Sequence, residues 1–444
     1  MSSEDIPASW VRCELSEVVD ILDSQRIPVN SAERQVRLAS ASTTYPYYGA
    51  TGQVGEIDDY IFEGESVLLG EDGAPFLDPY KPKAYMARGR YWVNNHAHIL
   101  RSVGGIKNEF LCHQLNILDY KQLVSGTTRL KLTQGSLKAI PLKLAPLNEQ
   151  YRIVEKIETL FAYIDKGEEA LHEVQKLLKR YRQSILKAAV TGNLIGNSWQ
   201  NVKEVQLGDL LLDIRYGTAK KCGHDESQTP VLRIPNVISG GIDLSNLKYT
   251  ILTDAEQDKL ALRCGDILLV RSNGSANLVA RGAIVDEKAV DFAYAGYLIR
   301  LRIDQKKITP QFLQIALESP QMRSVIERQA RSTSGVHNIN SSEIKSLPIR
   351  VPSLDDQAAV TSEVKKRFSV AQDLDARCEF ELQRSNALRQ SILKSAFTGH
   401  LVSQDPNDER ASELLARIRA ERDAAPAKKR VKKKATRRKA RTKA

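Results

Sequence analysis

No apolar run in the 444 residues approaches the roughly 20 that a membrane-spanning helix needs. Cysteine is sparse. Cys13, Cys112, Cys222, Cys264 and Cys378 lie far apart, odd in number and without a C-x-x-C pair. That spacing supports neither a disulfide framework nor a zinc site, and it fits reduced thiols in a cytoplasm. The opening Met1-Ser2-Ser3-Glu4-Asp5 is acidic and lacks the basic start and apolar stretch of a secretory signal, so a cytoplasmic location is expected. No G-x-x-x-x-G-K-[ST] phosphate loop occurs, so ATP-driven work is not encoded here.

What is present begins with charge and length. The net charge is +11, from 65 Lys and Arg against 54 Asp and Glu. Eleven of those cations fall between 426 and 444, a stretch without an acid, so the rest of the chain balances at 54 against 54. Any nucleic-acid surface on the body must therefore be a local patch. The tail, with Lys428-Lys429-Arg430 and Lys432-Lys433-Lys434, reads as a disordered segment that either solvates the chain or touches phosphates without sequence preference. The length suggests two or three domains, each large enough to bury a core.

An internal repeat organises the chain. At a displacement of 207 residues, Gln183-Ser184-Ile185-Leu186-Lys187 matches Gln390-Ser391-Ile392-Leu393-Lys394, and the match runs on through Thr191-Gly192 and Thr398-Gly399. The same offset aligns Pro141 with Pro348, Leu147 with Leu354, Gln150 with Gln357 and Phe161 with Phe368. Upstream the likeness loosens but keeps its order, with Gly64-Glu65-Ser66-Val67-Leu68-Leu69 answering Gly265-Asp266-Ile267-Leu268-Leu269 and Trp10 answering Trp199. Each half is a divergent globular module followed by a similar helical segment, an arrangement suited to one job done twice on two targets.

Asn148–Val190 and Asp355–Phe397 contain no proline, start on a polar residue placed to cap a helix, and run into Gly192 and Gly399, which stop one. In the first, Ile153, Ile157, Leu160, Ile164, Leu171, Val174, Leu178, Tyr181, Ile185 and Ala188 recur in steps of three and four, interrupted at Gly167, as a coiled-coil seam does. The second is less regular. Val360, Val364, Phe368, Ala371, Leu374, Cys378, Leu382, Leu388 and Ile392 carry it, while Arg367, Glu381 and Ser385 fall on strict seam positions. Helices of that length cannot bury their stripes alone, so an antiparallel pair holding the modules at opposite ends is expected. The expected fold is α+β: a module over 1–147, a long helix over 148–195, a second module over 196–354, a second long helix over 355–402, and a short helix with the basic tail over 403–444. Strands are expected at Val67–Gly70, Leu130–Leu132, Asp266–Arg271, Ala283–Val285 and Leu298–Arg302, and helices at Asn108–Leu118 and Thr309–Ala330.

The paired Gln-Ser-Ile-Leu-Lys ends with Thr-Gly, the helix starts Pro146-Leu147-Asn148-Glu149-Gln150 and Pro352-Ser353-Leu354-Asp355-Asp356-Gln357, and Tyr45-Pro46-Tyr47-Tyr48-Gly49-Ala50-Thr51-Gly52 resemble those of the specificity (HsdS) subunits of type I restriction-modification systems. The resemblance spans Trp10 to about residue 422. It implies two target-recognition domains, each reading one half of a split double-stranded DNA site, with the helices as spacer and as docking surface for two modification (methyltransferase) subunits, and through these for restriction subunits. It implies adenine as the modified base. The chain is then non-catalytic and binds no cofactor, S-adenosylmethionine, ATP and Mg²⁺ being expected on partner subunits. The basic tail lies outside the family pattern. Asp78-Pro79-Tyr80-Lys81 only faintly echoes an amino-methyltransferase motif, and Glu71-Asp72 reads as a surface loop rather than a nuclease centre.

Reading a base edge requires forked donors and acceptors on loops that approach closely. In the second module Arg271, Ser272, Asn273 and Ser275 follow a strand, with Asn277 and Arg281 close behind; Arg215, Tyr216, Thr218, Lys220 and Lys221 surround Gly217; and Arg331, Ser332, Thr333, Ser334, His337 and Asn338 precede the last strand. Thr127, Thr128 and Arg129 occupy the corresponding place in the first module. Tyr45, Tyr47, Tyr48 and Thr51 suit backbone contact or stacking, or else core packing. Asn94 and Asn95, beside His96 and His98, suit base contact or structure better than a metal, for which no third ligand is evident. The competing reading of the whole chain is a coiled-coil scaffold whose modules bind protein.

Overall fold

The structure, a computed structural model, describes residues 6–196, 199, 202–237, 241–333 and 335–424, so Ser334 and the basic tail lie outside the described residues. The residues up to Ala170 together with those from Glu381 make one compact unit, and Leu171–Phe380 make the other. Among the described residues no helix is long and apolar enough to cross a membrane.

In the first unit the chain enters and leaves its module through one antiparallel pair, Val11–Glu14 against Pro141–Leu144. Four antiparallel strands follow in the order Val19–Ile21, Ala97–Ser102, Ser66–Gly70, Ala84–Ala87. Val67, Leu68 and Leu69 are fully buried because both faces of that sheet are covered, which is why the sequence there is a continuous apolar run rather than an alternating one. A second sheet orders Gly52–Ile57, Tyr45–Gly49, Arg90–Val93 and Phe62–Glu63, with Tyr47 and Trp92 facing each other in parallel register. The helix Ala411–Ala424 closes the core from far along the chain, inserting Leu414, Leu415 and Ile418, while Arg419 pairs with Glu17 at 2.6 Å.

The second unit repeats this plan in a different sequence. Glu204–Gln206 pairs with Pro348–Arg350; Leu211–Tyr216, Leu298–Ile303, Ile267–Val270 and Gly282–Ile284 make the four-stranded sheet; and Lys248–Thr250, Thr229–Leu232 and Ala293–Tyr294 make the second, again with a parallel pair, Val231 opposite Ala293. The stretch read as one helix over 309–330 is two, Pro310–Glu318 and Pro320–Gln329. Pro320 cannot continue a helix, and Ser319 turns its hydroxyl to accept from the Met322 N–H.

The long helices are Leu147–Ala189 and Leu354–Ala396, 43 residues and so about 64 Å each. Both begin one residue before the polar positions expected to cap them. In the second the cap is Ser353, whose Oγ accepts from Asp356 N–H at 3.2 Å. The aligned glutamines lock these starts: buried Gln150 and Gln357 donate to the carbonyls of Ala145 and Pro352, at 2.9 and 3.0 Å. Gly192 and Gly399 end the helices at φ of 80° and 78°, a conformation that costs a side chain about 1 kcal/mol or more. In the first unit the beginning of the first long helix packs on the end of the second, through Ile153, Ile157, Ile392 and Ala396. In the second unit Ile185 and Ala189 at the end of the first helix pack in one core with Val360 and Val364 at the beginning of the second. The helices are therefore antiparallel.

The seam differs from the expected one at alternate positions. Val174, Leu374 and Leu388 are 39%, 43% and 50% exposed, and Tyr181 is exposed too. The inward places are taken instead by Phe161, Glu168, Gln175 and Arg182 on the first helix, and by Asp375, Ser385 and Arg389 on the second. These polar residues are tolerated because each finds a partner across the seam. Arg389 reaches Glu168 at 3.1 Å and Asp165 at 2.6 Å, and Ser385 donates to Glu168. Arg182 reaches Asp375 at 3.3 Å, which also accepts from Gln175. The repeat offset converts one pair into the other, Arg182 into Arg389 and Glu168 into Asp375. Ile153, Ile157, Ile164, Leu171, Leu178, Ile185, Val360, Val364, Phe368, Leu382 and Ile392 are buried or half-buried as expected, and Leu160 is half-buried beside Phe161.

Candidate nucleic-acid interface

In the first module backbone hydrogen bonds gather four loops. Asn94 N–H donates to Tyr48 O at 3.0 Å, Glu71 N–H to His96 O at 2.8 Å, Leu132 N–H to Glu71 O at 2.7 Å and Gly73 N–H to Leu130 O at 3.1 Å. Thr51, Asn95, Thr127, Thr128 and Arg129 are exposed on or next to these loops, and Arg129 reaches Asp72. Asp72 Oδ1 accepts from Arg129 Nη2 at 2.9 Å and lies 2.6 Å from His96 Nδ1. Asn94 is half-buried, its side-chain oxygen accepting from His96 N–H.

Beneath this cluster His98 is buried, with Nδ1 2.6 Å from Asp23 and Nε2 3.0 Å from Leu132 O. Asp23, Glu71 and His98 have the closeness of metal ligands. Their carboxylates already face protein cations: Arg26 lies 2.7 Å and Lys131 3.2 Å from Glu71. Burial pushes the Asp23 carboxyl upward, but His98, the Ile99 N–H and Arg26 together hold it below its ordinary range. The network is an ion-paired tie between the sheet and the 124–132 hairpin.

The tyrosines divide. Tyr47 is 4% exposed, packs with Ile57 and Trp92, and donates its hydroxyl to Val29 O at 3.0 Å, so it belongs to the core and not to a binding face. Burial raises the Tyr47 and Tyr48 hydroxyls above their usual range. Tyr48 is half-buried against Tyr85 and Tyr91, and Tyr45 is half-buried against Tyr60.

The second module gathers the equivalent loops. The strand Ser272–Asn273 pairs with Val336–Asn338, where His337 and Asn338 are half-buried, and Val336–Asn338 pairs in turn with Arg331–Thr333. Arg271 lies at the centre: its N–H donates to Tyr297 O at 2.8 Å, its carbonyl accepts from Ile339 N–H at 3.0 Å, and its guanidinium stacks 4.6 Å over Tyr216. Tyr216 is fixed from behind by Ser341 N–H, which donates to its hydroxyl at 2.9 Å. Ser275 and Asn277 are exposed, Arg281 donates to Asn277 O, and Arg215 lies 3.5 Å from Asp213. Thr218 caps the turn that carries Lys220 and exposed Lys221. Lys220 is engaged by Glu256 at 2.5 Å, and that hydrogen bond brings the Glu256 carboxyl down to about 2. Sequence reasoning missed Tyr297, 62% exposed, whose one signal is an aromatic beside Gly296 ahead of a strand. It missed Asp72 as well, because an acidic loop gives no hint of which cation it will hold.

Comparison with known proteins places the fold and the family. The family model for the type I restriction modification DNA specificity domain matches residues 7–176. The EcoKI specificity subunit of Escherichia coli K12 is 30% identical over 356 residues, 76% of each chain, and the StySPI specificity subunit of Salmonella potsdam is 30% identical over 353 residues, again 76% of each. In fold, the chain resembles one from a solved structure of the type I R-M system, with a TM-score of 0.67 at 17% identity over 89% of this chain and 99% of that one. The HsdS subunit from Thermoanaerobacter tengcongensis gives 0.53 at 17% identity, over 90% and 99%. With its duplicated modules, antiparallel long helices and these relatives, the chain belongs to the family of type I restriction-modification specificity subunits.

Proposed function

We propose that each module reads one half of a bipartite duplex site through its gathered loops, while the long helices set the gap between the halves and dock two modification subunits, which in turn recruit restriction subunits. The methyl donor, ATP and Mg²⁺ act on those partners, and this chain supplies recognition without catalysis; adenine is the base modified. The observation that carries the reading is that two modules sharing a four-stranded sheet of one strand order present loops of different chemistry, Asp72, His96 and Arg129 in one, Arg271, Tyr216 and Asn273 in the other. A common scaffold with unlike loops is what reading two unlike sequences requires.

The docking part rests on the opposite pattern. From Tyr151 to Tyr181 the repeat keeps one identity, Phe161 with Phe368, yet exposed Ser184 and Lys187 recur as exposed Ser391 and Lys394. Surface residues held in both copies suit two copies of one partner. Methylome sequencing of a host with and without the chain tests the reading, and replacing 199–350 by the matching module of a relative should change one half of the methylated sequence alone. An unchanged methylated sequence would favour the scaffold reading.

A further inference from the structure

The first module's loop cluster contains a cation that is both exposed and held. Arg129 is 60% exposed, yet its Nη2 donates to Asp72 at 2.9 Å, and Asp72 is only 20% exposed. Asp72 is the fixed member of the pair. Its backbone bridges Lys131, the residues on either side are bonded to His96 and Leu130, and His96 lies against the same carboxylate oxygen. Gly73, at φ +71°, adopts a backbone conformation that favours glycine and so shapes the turn beside the Arg129 guanidinium. A guanidinium carries five N–H donors in a rigid fork. The carboxylate takes one of them, the His96 ring nitrogen lies 3.4 Å from the same Nη2, and the side chain remains 60% exposed, so donors are left for a ligand.

We propose that Arg129 reads a guanine in the half-site of the first module, forking onto O6 and N7, and that Asp72 is its positioning residue. The proposal rests on the reading that this module binds duplex DNA. A phosphate contact is the other use for an exposed arginine, and the local charge argues against it. A neighbouring carboxylate cancels the attraction on which a phosphate contact depends, whereas a base contact gains fixed geometry from it.

The test is methylation by the complex assembled with its modification subunits, on duplexes randomised across both half-sites and then sequenced, for wild type, Arg129→Lys, Arg129→Ala and Asp72→Asn, with thermal unfolding measured alongside. Arg129→Lys keeps the charge but loses the rigid planar fork that Asp72 orients. It should lower the preference for guanine at one position of one half-site by about tenfold to a hundredfold and leave every other position unchanged. Asp72→Asn should relax the same position by a smaller factor. Loss spread evenly over all positions, relaxation at a base other than guanine, or unaltered preference in the Arg129 variants would overturn the proposal. Should Asp72→Asn unfold, Arg129→Lys still decides. A wild-type complex that modifies duplex without sequence preference would instead bring down the underlying reading, and the proposal with it.

Discussion

His113 shows how one side chain ties a module to its helix. It lies on the helix Asn108–Ile117, edge-on to Phe161 of the first long helix at 5.7 Å, and burial pushes its imidazole from 6.5 down to about 4. Between those values the unfolded chain binds a proton that the folded chain refuses, so stability falls as pH falls through that window. The loss attributable to this residue is at most about 3 kcal/mol. Melting curves from pH 7 to pH 4 should therefore be flatter for His113→Gln than for wild type; parallel curves would show that the niche is wetter than its geometry implies. In the second module, Arg271→Ala removes a guanidinium already oriented by Tyr216, and duplex binding by the assembled complex should weaken by about 1–3 kcal/mol. Neither residue's role was legible beforehand in the same degree. Arg271 announced itself by standing after a strand and before Asn-Gly, whereas His113 lies in an ordinary amphipathic helix and acquires its role only from a ring 48 positions away.

At the scale of the element, the seam between the long helices carries its own registration. Glu168 with Arg389 and Asp375 with Arg182 are half-buried pairs at repeat-equivalent positions. Glu168→Arg would set like charges against each other and should cost about 1–2 kcal/mol in thermal stability, and adding Arg389→Glu should recover at least half of it. A double variant no better than the single one would show that the pair does not set register. The apolar positions provide a second check. Ile157→Ala opens a void in the core and should cost about 2–4 kcal/mol, while Leu388→Gln, on the exposed face, should stay within about 0.5 kcal/mol. Two long helices stopped near Gly192 and Gly399 were readable from proline-free composition and those glycines, and their antiparallel pairing from two apolar stripes that neither helix buries alone. The seam was half readable. Ile157, Ile164, Leu171, Leu178 and Ile185 recur every seven residues and are found where expected. The alternating positions go to Phe161, Glu168, Gln175 and Arg182; for the last three, a polar residue with a partner across the seam competes well with Gly167, Val174 or Tyr181 one step away, and the partner is visible only in three dimensions.

For the whole molecule, the seam makes the spacing part of the proposed function testable without touching either module. Inserting one heptad after Leu171 and another after Cys378 keeps the Glu168–Arg389 and Arg182–Asp375 pairs intact, because each pair lies to one side of both insertions and the new heptads can pair with each other. Each helix lengthens by about 10 Å, which corresponds to about three base pairs at 3.4 Å each. Three base pairs also turn the duplex by roughly 100°, while a heptad turns the seam little, so binding should weaken even as the gap grows. The expected methylome keeps both half-sites, separates them by about three more base pairs and fills more slowly. A heptad placed in one helix alone leaves seven residues without a seam partner and should lower thermal stability as well. If the double insertion modifies the original sequence with its original gap, the helices do not measure the distance along the duplex, and the modules must find their half-sites by some other constraint.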